Sequence, residues 1–126
     1  MPLTIEGNFD NDFFGSVVKF FCNALGIDVP ENLHIFTDET IKAFGACYQN
    51  DDDDYMIVLR ERDSAADMIV TLAHELTHVK QYIRDDLKSA FTTSIPYMER
   101  WWEIEAYAKE HELVELLISA VERKEI

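Results

Sequence analysis

The stretch from residue 63 to residue 84, DSAADMIVTLAHELTHVKQYIR, decides how this chain is read. Ile69, Leu72, Ala73, Leu76 and Val79 recur at steps of three and four, the spacing of one helical face. Ser64, followed three residues on by Asp67, resembles a capping box and places an acid near the positive end of the helix. A helix from about Asp63 to about Arg84 is therefore predicted. Its middle reads His74-Glu75-Leu76-Thr77-His78. The i to i+4 spacing stacks both imidazoles one turn apart on one side, within reach of a single tetrahedral ion. Glu75 is rotated about 100° from His74, so its carboxylate can approach a water at that ion without ligating the ion itself. Neutral imidazoles suit Zn²⁺, which lowers the pKa of a bound water to roughly 7, and a carboxylate can take the proton. Leu72, Leu76 and Val79 lie on another face, so the helix can pack and still present its histidines.

Working outward, residues 10–25 (DNDFFGSVVKFFCNAL) place Phe13, Val17, Phe20, Phe21 and Ala24 at helical spacing, with Gly26 as a stop and Pro30 as a break. Residues 33–37, 43–49 and 55–60 read as three short strands. Between the last two stand Asp51 to Asp54. A calcium loop of the EF-hand type counted from Asp51 would need glycine at position 56 and glutamate at position 62. Met56 and Arg62 stand there, so a solvated hairpin turn is expected. Residues 87–96 read as a loop closed by Pro96, and a last helix is expected from about Tyr97 to about Arg123. The order is helix, three strands, helix, loop, helix. That is an α+β domain with a small antiparallel or mixed sheet.

The 126 residues fit one domain, 1–126, and at 48% apolar can fold around a core without a disulfide framework. With 25 acids against 11 bases, the net charge of −14 disfavours nucleic-acid and anionic-membrane partners. The longest apolar run, Phe13 to Leu25, is interrupted by Lys19 and is too short to span a membrane. The first residues, MPLTIEGNFDND, lack a basic region followed by an apolar core, so no secretory signal is expected. Cys22 and Cys47 are too few for a disulfide scaffold, and a reducing, cytoplasmic setting is expected.

A catalytic zinc needs a third protein ligand. An HExxHxxGxxH run would place glycine at 81 and histidine at 84. Gln81 and Arg84 stand there, which excludes the metzincin pattern. The cysteines have no matching partner nearby. The remaining source is the last helix, whose start reads Arg100-Trp101-Trp102-Glu103-Ile104-Glu105-Ala106.

With Arg100, Glu103 and Ala106, the chain resembles the gluzincin group of zinc metallopeptidases, which pair an HExxH helix with a glutamate on a downstream helix. The resemblance covers about 45 residues and rests on short motifs. It implies a minimal zincin-like domain in which His74, His78 and Glu103 hold one Zn²⁺. Glu75 would be the general base toward a metal-activated water that hydrolyses a peptide bond. Glu103 shares its face with Ala106, Tyr107, Leu113, Val114 and Leu117, whereas Glu105 aligns with Trp101, Lys109 and Glu112. Glu105 stays open as the alternative ligand. His111 lies two turns from Glu103, roughly 12 Å along a straight helix, so the two cannot share an ion. In zincins an edge strand beside the HExxH helix holds the substrate backbone, and Tyr55–Arg60 is the strand expected there by order. Tyr82, Tyr97, Arg100, Tyr107 and His111 are the candidate donors to an oxyanion, with no choice among them.

A peptide or protein substrate follows from this reading, and the acidic balance favours a basic one. Two other readings compete. One is a zinc-binding domain without hydrolytic activity that acts through a protein partner. The other is an acidic mimic of nucleic acid in which the metal site is incidental. The acids are spread over loops and outward helix faces, as on a solvated surface.

Overall fold

A computed structural model of the chain describes residues 3–7, 10–51, 53–61, 63–84 and 100–126. Among these residues four strands and three helices follow in the order β1 (Leu3–Glu6), α1 (Asn11–Leu25), β2 (Asn32–Asp38), β3 (Gly45–Asp51), β4 (Asp54–Arg60), α2 (Ala65–Ile83) and α3 (Trp101–Glu122). The expected α+β class stands, with four strands in place of three. The expected loop at 87–96 and the stretch 97–99, where the last helix was to begin, lie outside the described residues.

The sheet is mixed, in the order β1-β2-β4-β3. β1 runs parallel to β2, β2 parallel to β4, and β3 antiparallel to β4. A parallel pair needs a crossover, and α1 supplies it between β1 and β2. Asp51 and Asp54 pair at the end of the β3–β4 hairpin, with Asp53 in the left-handed region at φ 56°. β4 therefore enters the sheet between β2 and β3. This corrects the expectation that Tyr55–Arg60 forms the edge. Both its sides are paired, and among the described residues β3 and β1 are the edges.

Period two sets the buried face. Leu33 and Ile35 of β2 stand opposite Tyr55 and Ile57 of β4, all at most 2% exposed. Their alternates His34, Phe36 and Met56 are only half-buried, so the helices cover one face of the sheet.

Asp10 caps α1 by accepting the Phe13 N–H at 3.1 Å, and Gly26 ends it at φ 76°, a conformation glycine adopts without a Cβ penalty. Its buried stripe is Phe14, Val17, Val18, Phe21, Cys22 and Leu25. The helix is thus rotated from the expected stripe, leaving Phe13 exposed. Ser64 caps α2 by accepting the Asp67 N–H at 3.1 Å, as its sequence predicts. Met68, Leu72, Ala73, Leu76 and Val79 join the core, as do Trp102, Leu113 and Leu117 of α3. Ala106 is fully buried.

Candidate metal centre

α2 buries Thr71, Glu75, Thr77, His78 and Gln81 along with its apolar stripe. Thr71 and Thr77 spend their hydroxyls on carbonyls one turn back, those of Asp67 and Ala73. A buried polar group needs a partner, so the other three must be explained by what faces them. What faces them is the first part of α3.

The two helices lie antiparallel, Arg84 and Gln81 beside Glu105, His74 beside Glu103 and Glu110. Both histidine Nε2 atoms converge on one carboxylate oxygen: Glu103 Oε1 is 2.8 Å from that of His74 and 3.1 Å from that of His78. One ligand atom from each of these residues falls within 4.8 Å of the other two. Ligand atoms about 2.0 Å from a tetrahedral zinc are separated by about 3.3 Å, so the triad fits such an ion with displacements of a few tenths of an ångström.

The other ring nitrogens decide what the triad wants. Gln81 turns its Nε2 toward two acceptors, the Trp102 carbonyl and Glu105 Oε1, each at 2.9 Å. Its Oε1 is then left to accept from His78 Nδ1 at 2.7 Å. His74 Nδ1 likewise faces the Glu110 carboxylate at 3.2 Å. With Nδ1 as donor, a neutral imidazole presents only a lone pair at Nε2, against the lone pairs of Glu103. The arrangement requires either an added proton or a cation among the three. Burial alone would push the His78 imidazole down, yet the Glu103 carboxylate, the charge of Glu75 and the Gln81 acceptor hold it above the ordinary histidine range. Burial would likewise raise Glu103, but the bonds from His74 and His78 hold its carboxyl at about 2. A divalent cation would satisfy the same electrostatic demand while leaving both rings neutral. The residues fit the ion.

Glu75 is 5% exposed, lines the cavity beside the triad, and has no hydrogen-bond partner among the described residues. Burial pushes its carboxyl upward, against the pull of His78 and His74. Room for it comes from Gly45 of β3. A Cβ there would lie 2.5 Å from Thr71 Cγ2, 2.9 Å from the Val58 carbonyl and 3.5 Å from Glu75 Cγ. The missing side chain lets the edge strand lie directly against α2.

The structure brings together His74, Glu75, His78 and Glu103. Glu105 is not in the triad; it holds Gln81 and Arg84, the latter at 2.6 Å. His111 is exposed and paired with Glu115 at 3.1 Å. Of the expected donors, Tyr107 lines the cavity with its ring centroid 4.5 Å from that of His74. Tyr82 packs against Tyr55 in the core, and Tyr97 lies outside the described residues. Trp102 is buried and Trp101 exposed. Sequence reading passed over Gln81 and Glu110 as supports. The signals were there: Gln81 is one helical turn beyond His78, and Glu110 two turns beyond Glu103.

No match was found to a family model, to a curated protein or to a solved structure. Among the described residues, no helix is long and apolar enough to cross a membrane.

Proposed function

We propose that this chain is a zinc-dependent metallopeptidase of the gluzincin type, built as a minimal zincin-like domain. The observation that carries the reading is the convergence of two Nε2 atoms on Glu103 Oε1 while each Nδ1 is held by an acceptor. His74, His78 and Glu103 would hold the ion. When bound, Zn²⁺ would polarise a peptide carbonyl and acidify a water beside it.

The remaining work falls to side chains of this chain. Glu75, buried and facing the cavity, accepts a proton as the water oxygen bonds to the carbonyl carbon. It then delivers that proton to the amine nitrogen as the C–N bond breaks. Glu110 and Gln81 hold the two imidazoles in one tautomer and one orientation, the task of groups behind metal ligands. Tyr107, at the cavity wall with its ring against His74, is a candidate donor to the developing oxyanion. Among the described residues nothing pairs with the outer edge of β3, which starts at the cavity where Ala43, Phe44 and Gly45 line it, and an extended peptide could add there as a further strand.

The test compares wild type with Glu75→Gln, measuring zinc per chain and hydrolysis of a peptide mixture by mass spectrometry. One zinc per chain in both, with cleavage only by wild type, is the expected result. Zinc in both with no cleavage by either would leave a metal-binding domain that acts through a partner. Cleavage by Glu75→Gln at the wild-type rate would remove the mechanism.

A further inference from the structure

We infer that the cavity beside the metal centre accepts a positively charged side chain, that of lysine or arginine, from a peptide held there. This deepens the metallopeptidase reading and rests on it.

The cavity encloses about 530 Å³ between the start of β3, the His74 face of α2 and the first three turns of α3. Four carboxylates line it: Asp67, Glu75, Glu103 and Glu110. Among the described residues, no lysine or arginine does. A dication held by the triad would offset two of those charges and leave the rest unbalanced. Arg60 approaches the rim, 4.2 Å over the Phe44 ring, but its charge is matched by Asp63 at 2.8 Å. The acids are more than a solvated surface cluster, because Glu75 is almost fully buried, unpartnered among the described residues, and faces the same space.

The walls define which cation fits. Phe44, Val70 and Tyr107 give an apolar and aromatic lining, which suits an alkyl stem and a cation against a ring face. Asp67 stands seven residues before His74 on the same face of α2, about 10 Å along the helix. Its carboxylate has no side-chain hydrogen bond among the described residues, so it is free to meet a ligand. A free α-amine next to the scissile bond would sit too close to the ion to reach it. A long side chain projecting from that bond spans the distance.

The experiment uses the zinc-loaded wild-type protein, with its four cavity carboxylates intact, and end-blocked pentapeptides that differ only at the central residue and carry uncleavable ketomethylene links on either side of it. Lysine, arginine, norleucine and glutamate are compared by calorimetry at low and high salt, with an unblocked norleucine peptide as the α-amine arm. Lysine and arginine should bind at least tenfold more tightly than norleucine, and glutamate most weakly. The advantage should shrink with salt and in Asp67→Asn. Equal affinity across the series, or none, would overturn the proposal, as would a preference for the unblocked amine alone. A lysine preference unchanged by Asp67→Asn would remove Asp67 from it. Wild-type cleavage without a charge preference sinks this inference alone. A charge preference in binding without any cleavage by wild type sinks the hydrolytic reading and leaves the cation site.

Discussion

The Oε1 atom of Gln81 lies 2.7 Å from Nδ1 of His78, with Gln81 itself fully buried. One amide thus settles the tautomer of a candidate metal ligand and, through the Trp102 carbonyl, ties α2 to the first turn of α3. Replacing it by leucine of similar volume strands a buried ring N–H, whereas the Trp102 carbonyl keeps its bond within α3. The stranded donor costs about 1–3 kcal/mol, so a fall in thermal stability is expected even without metal. Zinc affinity should fall on the order of 10- to 100-fold, the usual consequence of losing a group that orients a ligand. Chelator competition and thermal melts of Gln81→Leu check both, and wild-type affinity in this variant would deny Gln81 its orienting role.

The division of labour between Glu103 and Glu105 gives a second contrast. Glu103→Ala removes the atom on which both imidazoles converge, and zinc retained after dialysis should drop well below one per chain. Glu105→Gln keeps an oxygen that can accept from Gln81 and loses only the charge facing Arg84, in a pair about one third exposed on each side. Such a pair contributes about 1 kcal/mol or less, so zinc content should stay at the wild-type value. Elemental mass spectrometry reads both variants. The reverse pattern would reassign the third ligand to Glu105.

Stripped of metal, the site should make stability peak in weakly acidic solution. Glu103 is held at about 2 against an ordinary 4.5, so its contribution is complete above 4.5 and is lost as pH falls toward 2. His78 is raised above its ordinary 6.5, so its contribution is complete below 6.5 and is lost as pH rises through the raised value. The buried Glu75 carboxyl, raised above 4.5, adds to the loss as pH rises, so the chelated protein should melt lower at pH 8 than at pH 6 and should also lose stability toward pH 2. Zinc should abolish the decline between pH 6 and 8, because it holds the imidazoles neutral. Paired melting curves with chelator and with zinc test this. A melting temperature of the chelated protein that climbs from pH 6 to 8 would show that no imidazolium is shared within the triad.

Much of this site could be read from residue spacing because one helix carries most of it. Ser64 caps α2, and the i to i+4 spacing alone puts His74 and His78 on a common side. Ala106 and Leu113 mark the inward face of α3 and with it Glu103. Strand order was not legible in the same way. Periodicity reports which face of a strand is buried, and Leu33, Ile35, Ile57 and Leu59 obey it, but says nothing about neighbours. The insertion of β4 between β2 and β3 follows from long-range pairing. β1 escaped notice because Leu3–Glu6 offers only four residues, three half-buried and one exposed, too few to show alternation. On α1 the pairs Phe13-Phe14 and Phe20-Phe21 allow two stripes, and packing against α2, α3 and β1 chooses the one through Phe14. Glu110 stands two turns beyond Glu103, but Glu103 has other acids near that spacing, and only the antiparallel packing of α3 on α2 sets Glu110 against His74.

Gly45 offers a test of how closely the edge strand must approach the site. Its absent side chain admits Thr71 and Glu75 on one side and the Val58 carbonyl on the other. Gly45→Ala would put a methyl 2.5 Å from Thr71 Cγ2 and 2.9 Å from a backbone oxygen, closer than carbon atoms pack. The strand has to move away from α2, at a cost of about 1–3 kcal/mol for an overpacked contact. The displacement shifts the rim formed by Ala43, Phe44 and Gly45, so KM for a peptide substrate should rise more than kcat falls. Thr71→Ser removes the nearer obstacle and leaves the carbonyl, so the double variant should recover part of the lost stability. Thermal melts and steady-state kinetics of the two single variants and the double variant complete the cycle. A Gly45→Ala protein that melts and binds substrate like wild type would mean that β3 has no need to lie against the helix.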